Sequence, residues 1–256
     1  MYKVQPKKNL GQHFLIDGNI TEKIVGCLSF EGYHSVVEVG PGMGVLSRHL
    51  LECCDDLFLI EIDGESVVYL QAYYPTLANR IIQTDFLKWN PVPLGLSCFA
   101  LIGNFPYNIS TQILFRLLAL RQYIPECVGM FQKEVAERIA AREGSKIYGI
   151  LSVLMQAFYK VEYLFTVNEN VFHPPPRVKS AVIRLRRRLQ EPDCNKILFF
   201  TLVKTAFNQR RKTLRNALKL LRRSDAFYRL PILDKRAEQL SVNDFIVLTR
   251  VAEVEL

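Results

Sequence analysis

Short apolar runs alternate with amphipathic stretches through the first half of the chain, and this alternation sets the order of the elements. Ser35–Val39, Leu57–Ile62, Ile81–Thr84, Phe99–Gly103 and Cys127–Gln132 are each four to six residues long and mostly apolar, which predicts buried strands. Helical spacing fills the gaps. Asn19–Leu28 leads into the first of these strands, and a helix starts at about Val45. Thr111–Leu120, Glu134–Arg142 and, after the polar loop Gly144–Gly149, Ile150–Phe158 read as further helices. Strands separated by helices must run parallel, because only a crossover returns the chain to the same end of a sheet. Two late strands, around Val161–Val167 and Lys179–Arg187, flank a proline-rich turn and read as a closing hairpin-type pair. Leu189-Gln190-Glu191-Pro192-Asp193 then breaks the pattern as a linker. Beyond it Leu198, Leu202, Val203, Ala206 and Phe207, then Leu214, Leu218 and Leu221, recur at helical spacing. The expected organisation is an α/β domain over residues 1–189 and a small all-helical domain over 193–256.

Candidate chemistry gathers at the strand ends. Asn104-Phe105-Pro106-Tyr107 closes the run from Phe99, and Pro106 forbids its continuation, so Asn104 stands where strand gives way to loop. Ser110 is the expected N-cap of the next helix. An asparagine side-chain carbonyl beside a backbone carbonyl makes two acceptors, able to take both hydrogens of an exocyclic amino group such as adenine N6. Tyr107 offers a flat face on which an extruded base stacks. Ser35–Val39 feeds Gly40-Pro41-Gly42-Met43-Gly44, a turn in which glycine lets backbone approach a ligand. Glu61 follows Gly40 by 21 residues, the distance at which a nucleoside-binding α/β unit puts an acid on the ribose hydroxyls. Asp63 follows Glu61, and Asp85-Phe86 ends the third strand with an acceptor beside an aromatic ring.

Net charge changes the picture in one respect. The chain carries +8, and between Arg184 and Arg223 thirteen Lys or Arg stand against Glu191 and Asp193 alone, a bias that points to a polyanion. The 256 residues, 49% of them hydrophobic, suffice for one or two cored domains. The six cysteines form no C-x-x-C and no metal-ligand spacing with the four histidines, so neither disulfides nor a metal are expected. Met1–Lys8 lacks the apolar core of a signal peptide, and no apolar run approaches the ~20 residues that span a bilayer. These features read as a reduced, soluble, cytoplasmic protein.

Asn104–Tyr107 resembles the (Asn/Asp)-Pro-Pro-(Tyr/Phe) signature of methyltransferases acting on amino groups of nucleic acid bases, with Phe105 in place of the first proline. Further stretches fall in one order: Asn9–Leu15, Glu38–Gly44, Glu61-Ile62-Asp63, Asp85-Phe86, Gly103–Thr111, Gln132–Ala136, Gly144–Gly149, Phe172–Pro176 and Ala206–Asn216. From about Lys7 to Thr249 the chain resembles the ribosomal RNA adenine dimethyltransferase family, in its bacterial small-subunit branch. The resemblance implies the seven-stranded, Rossmann-like methyltransferase variant of the doubly wound sheet, and S-adenosylmethionine as cofactor. It places cofactor contacts on His13, Leu15, Gly40, Gly42, Glu61, Asp85 and Asn104, with His13 acting by contact where other members carry Asn. Asn104, Phe105, Pro106 and Tyr107 become the catalytic stretch, and Phe172 an aromatic holding the base opposite Tyr107. Arg210, Arg211, Lys212 and Arg215 become the RNA-contacting set, divided between interface anchors and phosphate contacts. The implied substrate is two adjacent adenosines in a hairpin loop near the 3′ end of small-subunit rRNA, within a partly assembled 30S particle, met by a monomer with no membrane role. The alternatives are a large-subunit methylase of the erythromycin-resistance type and a non-catalytic assembly factor. Phe207–Asn216 argues against the first, and the cofactor residues against the second. A nicotinamide-dependent dehydrogenase would need a longer glycine turn.

Overall fold

The computed structural model describes residues 4–221 and 224–253. Arg222 and Arg223 of the basic run lie outside them. Among the described residues nine strands form: β1 Phe14–Leu15, β2 Ser35–Val39, β3 Asp56–Glu61, β4 Ile81–Gln83, β5 Phe99–Asn104, β6 Glu126–Gln132, β7 Tyr159–Val167, β8 Phe172–His173 and β9 Ser180–Arg187. The helices are α1 Gly18–Val25, α2 Val45–Leu50, α3 Gly64–Tyr73, α4 Ser110–Ala119, α5 Lys133–Ala140, α6 Ile150–Phe158, α7 Lys196–Asn208, α8 Leu214–Ala217, α9 Asp225–Tyr228 and α10 Val242–Glu253.

Seven strands make one sheet in the order β4-β3-β2-β5-β6-β9-β7. β2 pairs in parallel with both β3 and β5, so the chain turns one way from β2 to reach β4 and the other way to reach β6. The crevice outside the carboxyl ends of β2 and β5 is therefore the switch point at which such sheets bind ligands. Burial explains why the strands sit as they do. All five residues of β2 are buried, as are the first five of β5, which fits central strands covered on both faces. β9 lies antiparallel to β6, from Gln132 opposite Ser180 to Glu126 opposite Arg186. The two late strands are neighbours, as expected, but the later one is inserted inside. β9 starts with four buried residues, whereas β7 is partly exposed along most of its length and takes the edge.

Two local features depart from the sequence reading. Ser110 is not an N-cap. A 3-10 turn, Tyr107–Ile109, runs directly into α4, and the Ser110 hydroxyl donates back to the carbonyls of Pro106 (3.1 Å) and Tyr107 (3.2 Å). A second, two-stranded sheet also pairs Phe14 with His173 and Leu15 with Phe172. Strands this short carry no periodic signal.

The chain divides into two compact units, residues 1–136 with 162–187 and residues 137–161 with 188–256. The last crossing falls between Arg187 and Arg188, ahead of the 189–193 stretch, and the segment 137–161 joins the later residues. The reason is α6, seven of whose nine residues are buried, which packs on α7 and α10. Within this second unit Phe158 meets Phe199 at 6.4 Å and Phe207 meets Phe245 at 5.8 Å between ring centroids.

Candidate active site

The glycine turn works by two distinct uses of missing Cβ atoms. Gly42 has φ +57°, and a Cβ there would stand 2.8 Å from the Phe14 ring, so the turn is pressed against the N-terminal segment. Gly40 has φ +70° and nothing within 4 Å of where its Cβ would be. It opens onto a cavity of about 220 Å³, bounded also by Gly42, Glu61, Asp85, Asn104 and Tyr107.

Glu61 ties the turn to the end of β3. Gly42 N–H donates to its Oε2 (3.0 Å), and the N–H groups of Ile62 and Asp63 donate to its Oε1 (both 2.9 Å). Burial raises its pKa, and those three N–H groups oppose the rise. Asp85 uses Oδ1 to accept from Leu87 N–H (2.9 Å), which turns the loop after β4. Asp63 has a different task. It caps α3 through Glu65 N–H (3.2 Å) and takes Lys7 Nζ (2.6 Å) and Gln12 Nε2 (3.2 Å). Burial raises its pKa, but the bonds from Lys7 and Gln12 outweigh that and hold it below the ordinary value.

Asn104 is oriented by one bond. Its Nδ2 donates to the His13 carbonyl (2.8 Å). A carbonyl only accepts, so the amide cannot flip and Oδ1 is left as the free acceptor. The Pro106 carbonyl takes Ile109 N–H (3.3 Å) and Ser110 Oγ (3.1 Å), so the uncommitted backbone acceptor next in line is that of Phe105. The Phe105 ring points away from this chemistry. It is 1% exposed, and Cβ atoms on Gly103 or Gly129 would stand 3.0 and 2.4 Å from it. Those two glycines make room for the bulkier residue, which serves the site through its backbone.

Tyr107 Oη shares a short hydrogen bond with Ser180 Oγ at the start of β9. The His13 ring stacks on Tyr107 with centroids 5.4 Å apart. His13 Nδ1 lies 2.7 Å from the Pro174 carbonyl and so carries the proton.

Leu15 and Phe172 are placed differently from the rest. Both are buried, at 1% and 3% exposure, in the hydrophobic core of the first unit, and neither borders the main cavity. Leu15 lines a smaller recess beside Gly40. Phe172 lies opposite Leu15 in the β1–β8 pairing. Sequence reasoning assigned no role to Lys7, Gln12, Phe14, Asn108 or Ser180. Their partners lie 28 to 97 residues away, and no local spacing marks them.

The four residues of the expected RNA-contacting set differ in their partners. Arg210 Nε pairs with Glu238 (3.1 Å), and its guanidinium also reaches the Lys146 carbonyl. Arg215 donates twice to Asp234 Oδ1, at 2.9 and 2.8 Å. Arg211 and Lys212 are exposed and, among the described residues, form no ion pair. The rest of the run is less one-sided than it reads. Arg184 pairs with Glu162 (2.8 Å) and Arg186 with Glu126 (3.4 Å), acids supplied from outside the basic segment. Among the described residues no group of three or more His, Cys, Asp or Glu is placed to hold a metal ion, and no helix is long and apolar enough to cross a membrane.

This sheet order, a glycine turn after the central strand, an acid ending the next and Asn-Phe-Pro-Tyr ending the fourth define a methyltransferase of the Rossmann-like α/β class. The open space at Gly40 and the acids Glu61 and Asp85 fit a nucleoside cofactor of the S-adenosylmethionine kind. Comparison with known proteins makes the assignment specific. Residues 3–251 match the family described as Ribosomal RNA adenine dimethylase. Ribosomal RNA small subunit methyltransferase A of Flavobacterium johnsoniae is 58% identical over 257 residues, covering 100% of this chain and 98% of that one. The crystal structure of a dimethyladenosine transferase from Plasmodium falciparum superposes with a TM-score of 0.78 at 26% identity, covering 92% of this chain and 96% of that one. The 23S rRNA methyltransferase ErmE shares the fold at a TM-score of 0.67 and 24% identity, covering 92% and 99%. The chain belongs to the ribosomal RNA adenine dimethylase family and is a methyltransferase.

Proposed function

We propose that this chain uses S-adenosylmethionine to methylate N6 of two adjacent adenosines in a hairpin loop near the 3′ end of small-subunit rRNA, giving N6,N6-dimethyladenosine. The observation that carries this reading is the fixed Asn104 amide at the cavity wall, its Oδ1 left free beside the Phe105 carbonyl. Two such acceptors take both hydrogens of an adenine amino group and favour a pyramidal, more nucleophilic nitrogen. Tyr107, covered on one face by His13, offers its other face to an extruded base. Glu61, with three acceptor positions committed to the glycine turn and its own loop, keeps one on Oε2 for a ribose hydroxyl, and Asp85 Oδ2 is the acceptor for a cofactor amino group.

When bound, the cofactor supplies a methyl group already activated by its sulfonium. The protein's task is then to align N6 with that group and to keep water out. The proton of the methylated amine passes to an acceptor carbonyl or to water. The small-subunit substrate is favoured over the large-subunit one by the 58% identity to a relative of the first kind, against 24% for ErmE. We assign residues 193–256 to RNA recognition on a partly assembled 30S particle, with Arg211 and Lys212 as its phosphate contacts. The protein acts as a cytoplasmic monomer. Assembling small subunits, naked small-subunit RNA and large-subunit RNA, each incubated with enzyme and cofactor, are digested and read by mass spectrometry. Paired dimethyladenosines are expected in the small-subunit samples; their appearance mainly in large-subunit RNA overturns the substrate assignment.

A further inference from the structure

The loop between β8 and β9 is pinned at both ends to the aromatic rings of the site. At its start the Pro174 carbonyl accepts from His13 Nδ1 at 2.7 Å, and that imidazole stacks on Tyr107. At its end Ser180 Oγ meets Tyr107 Oη, and Ser180 lies opposite Gln132 on β6. Lys133 N–H extends this ladder by donating to the Lys179 carbonyl (2.9 Å). Between these ties Arg177, Val178 and Lys179 are all exposed, Val178 at 46%.

The charges here are unbalanced in a way that those on the neighbouring strand are not. Arg184 and Arg186 of β9 are neutralised by Glu162 and Glu126, and the Arg187 guanidinium is taken up by the carbonyls of Arg121 and Gln122. The sequence carries no Asp or Glu from Asn170 to Gln190. Among the described residues neither Arg177 nor Lys179 forms an ion pair. Two unpaired cations thus stand on a segment tied at one end to Tyr107, the ring on which the base is proposed to stack, and at the other to His13, which stacks on that ring. A nucleotide is extruded by rotation about its own backbone, so the phosphates on either side of it arrive at the mouth of the same pocket. Contacts to those phosphates hold register without reading sequence.

We infer that Arg177 and Lys179 form a phosphate clamp on the RNA backbone flanking the extruded adenosine, separate from the cations of the second unit. The inference rests on the adenosine-N6 reading above and adds to it the polyanion contact of the first unit. The clamp acts in substrate positioning and touches neither cofactor nor methyl group.

The test uses the full chain and a synthetic RNA hairpin with two adjacent adenosines in its loop. Binding is followed by fluorescence anisotropy against salt for the wild type, Arg177→Ala/Lys179→Ala and the charge-conserving Arg177→Lys/Lys179→Arg. Each lost contact to a single-stranded phosphate removes about 0.7 from the slope of log K against log salt, so the alanine pair should lose about 1.4 and the conservative pair little. Calorimetry with S-adenosylmethionine should give one affinity for all three proteins, showing that the variants are folded. A second arm replaces single loop phosphates by neutral methylphosphonates. In the wild type, neutralising a phosphate next to the target adenosine should weaken binding; in the alanine pair it should have no further effect. An unchanged salt slope, or interference that persists in the alanine pair, overturns the clamp. Absence of hairpin binding or of any flanking-phosphate effect in the wild type would instead remove the reading on which it rests.

Discussion

The acids of the first unit and the cations of the second are both held by hydrogen bonds, yet in different media. Glu61 is 4% exposed and Glu38 1%, whereas the side chains of Arg210 and Arg215 remain 47% and 34% exposed in their ion pairs. Beneath the glycine turn, water is excluded. Glu38 accepts from Ser47 Oγ at 2.6 Å, yet burial outweighs that bond and, with Glu61 nearby, pushes its pKa up to about 8. At the second unit's surface water screens each pair, and an exposed ion pair is worth roughly 0–1 kcal/mol. Geometry and protonation are therefore stringent in the pocket. On the basic surface, individual pairs are replaceable, and what matters is which cations are left unpaired for a polyanion.

The largest expected effect follows from the pocket side. Asn104→Ala removes one of two preorganised acceptors, and loss of such a group costs roughly 10²–10³ in rate. Single-turnover methylation with saturating RNA should fall at least that far, while RNA affinity stays close to wild type. Near-normal transfer by this variant would dissolve the contrast between pocket and surface.

Glu38 gives the next effect, read as stability. Its folded pKa lies above the ordinary 4.5, so the folded chain holds a proton that the unfolded chain releases as pH rises. Wild-type stability should fall between about pH 4.5 and 8 by as much as ~1.4 kcal/mol per pH unit from this group, then level off. Glu38→Gln lacks the titration, so its melting temperature should gain on the wild type as pH rises. Parallel trends for the two proteins would place Glu38 in a wetter setting.

Glu61→Ala should weaken S-adenosylmethionine binding about ten- to a hundredfold, corresponding to a lost charge-assisted bond of roughly 1.5–3 kcal/mol. Calorimetric titration measures it, and equal affinity would sink the ribose assignment.

The smallest effects sharpen the surface side. Arg211→Ala/Lys212→Ala should lower the RNA salt slope by about 0.7 to 0.9 per contact without changing the melting temperature. Arg210→Ala and Arg215→Ala should do the reverse, costing no more than ~1 kcal/mol of stability each. If all four residues alter the salt slope alike, pairing does not decide which cations are available.

The two regions also differ in how far the chain reveals them. Gly40, Glu61, Asp85 and Asn104 were legible because a parallel sheet returns its chain to the same edge after every crossover, so residues ending successive strands meet. The basic run was legible only as composition. Glu191 pairs with Lys196 (3.9 Å) within the run, but Glu126, Glu162, Asp234 and Glu238, which neutralise Arg186, Arg184, Arg215 and Arg210, lie outside it. Phe172 shows the same limit: a pairing of two residues with two buries it against Leu15, and no window of sequence contains both strands.

Sequence by itself determined the alternation of strands and helices, the glycine turn, the strand-end acids and the Asn-Phe-Pro-Tyr corner, because each is written in a few consecutive residues whose backbone preferences act locally, while the place of β9 inside β7 was settled by pairing across the sheet. Tertiary structure decided which atoms those residues offer. The Asn104 amide is set by a carbonyl 91 residues away, the Tyr107 ring by a serine 73 residues away, and the Arg210 charge by an acid 28 residues away. Hydrogen bonds and ion pairs are made through space, and their partners exist only once the hydrophobic core has fixed the distances.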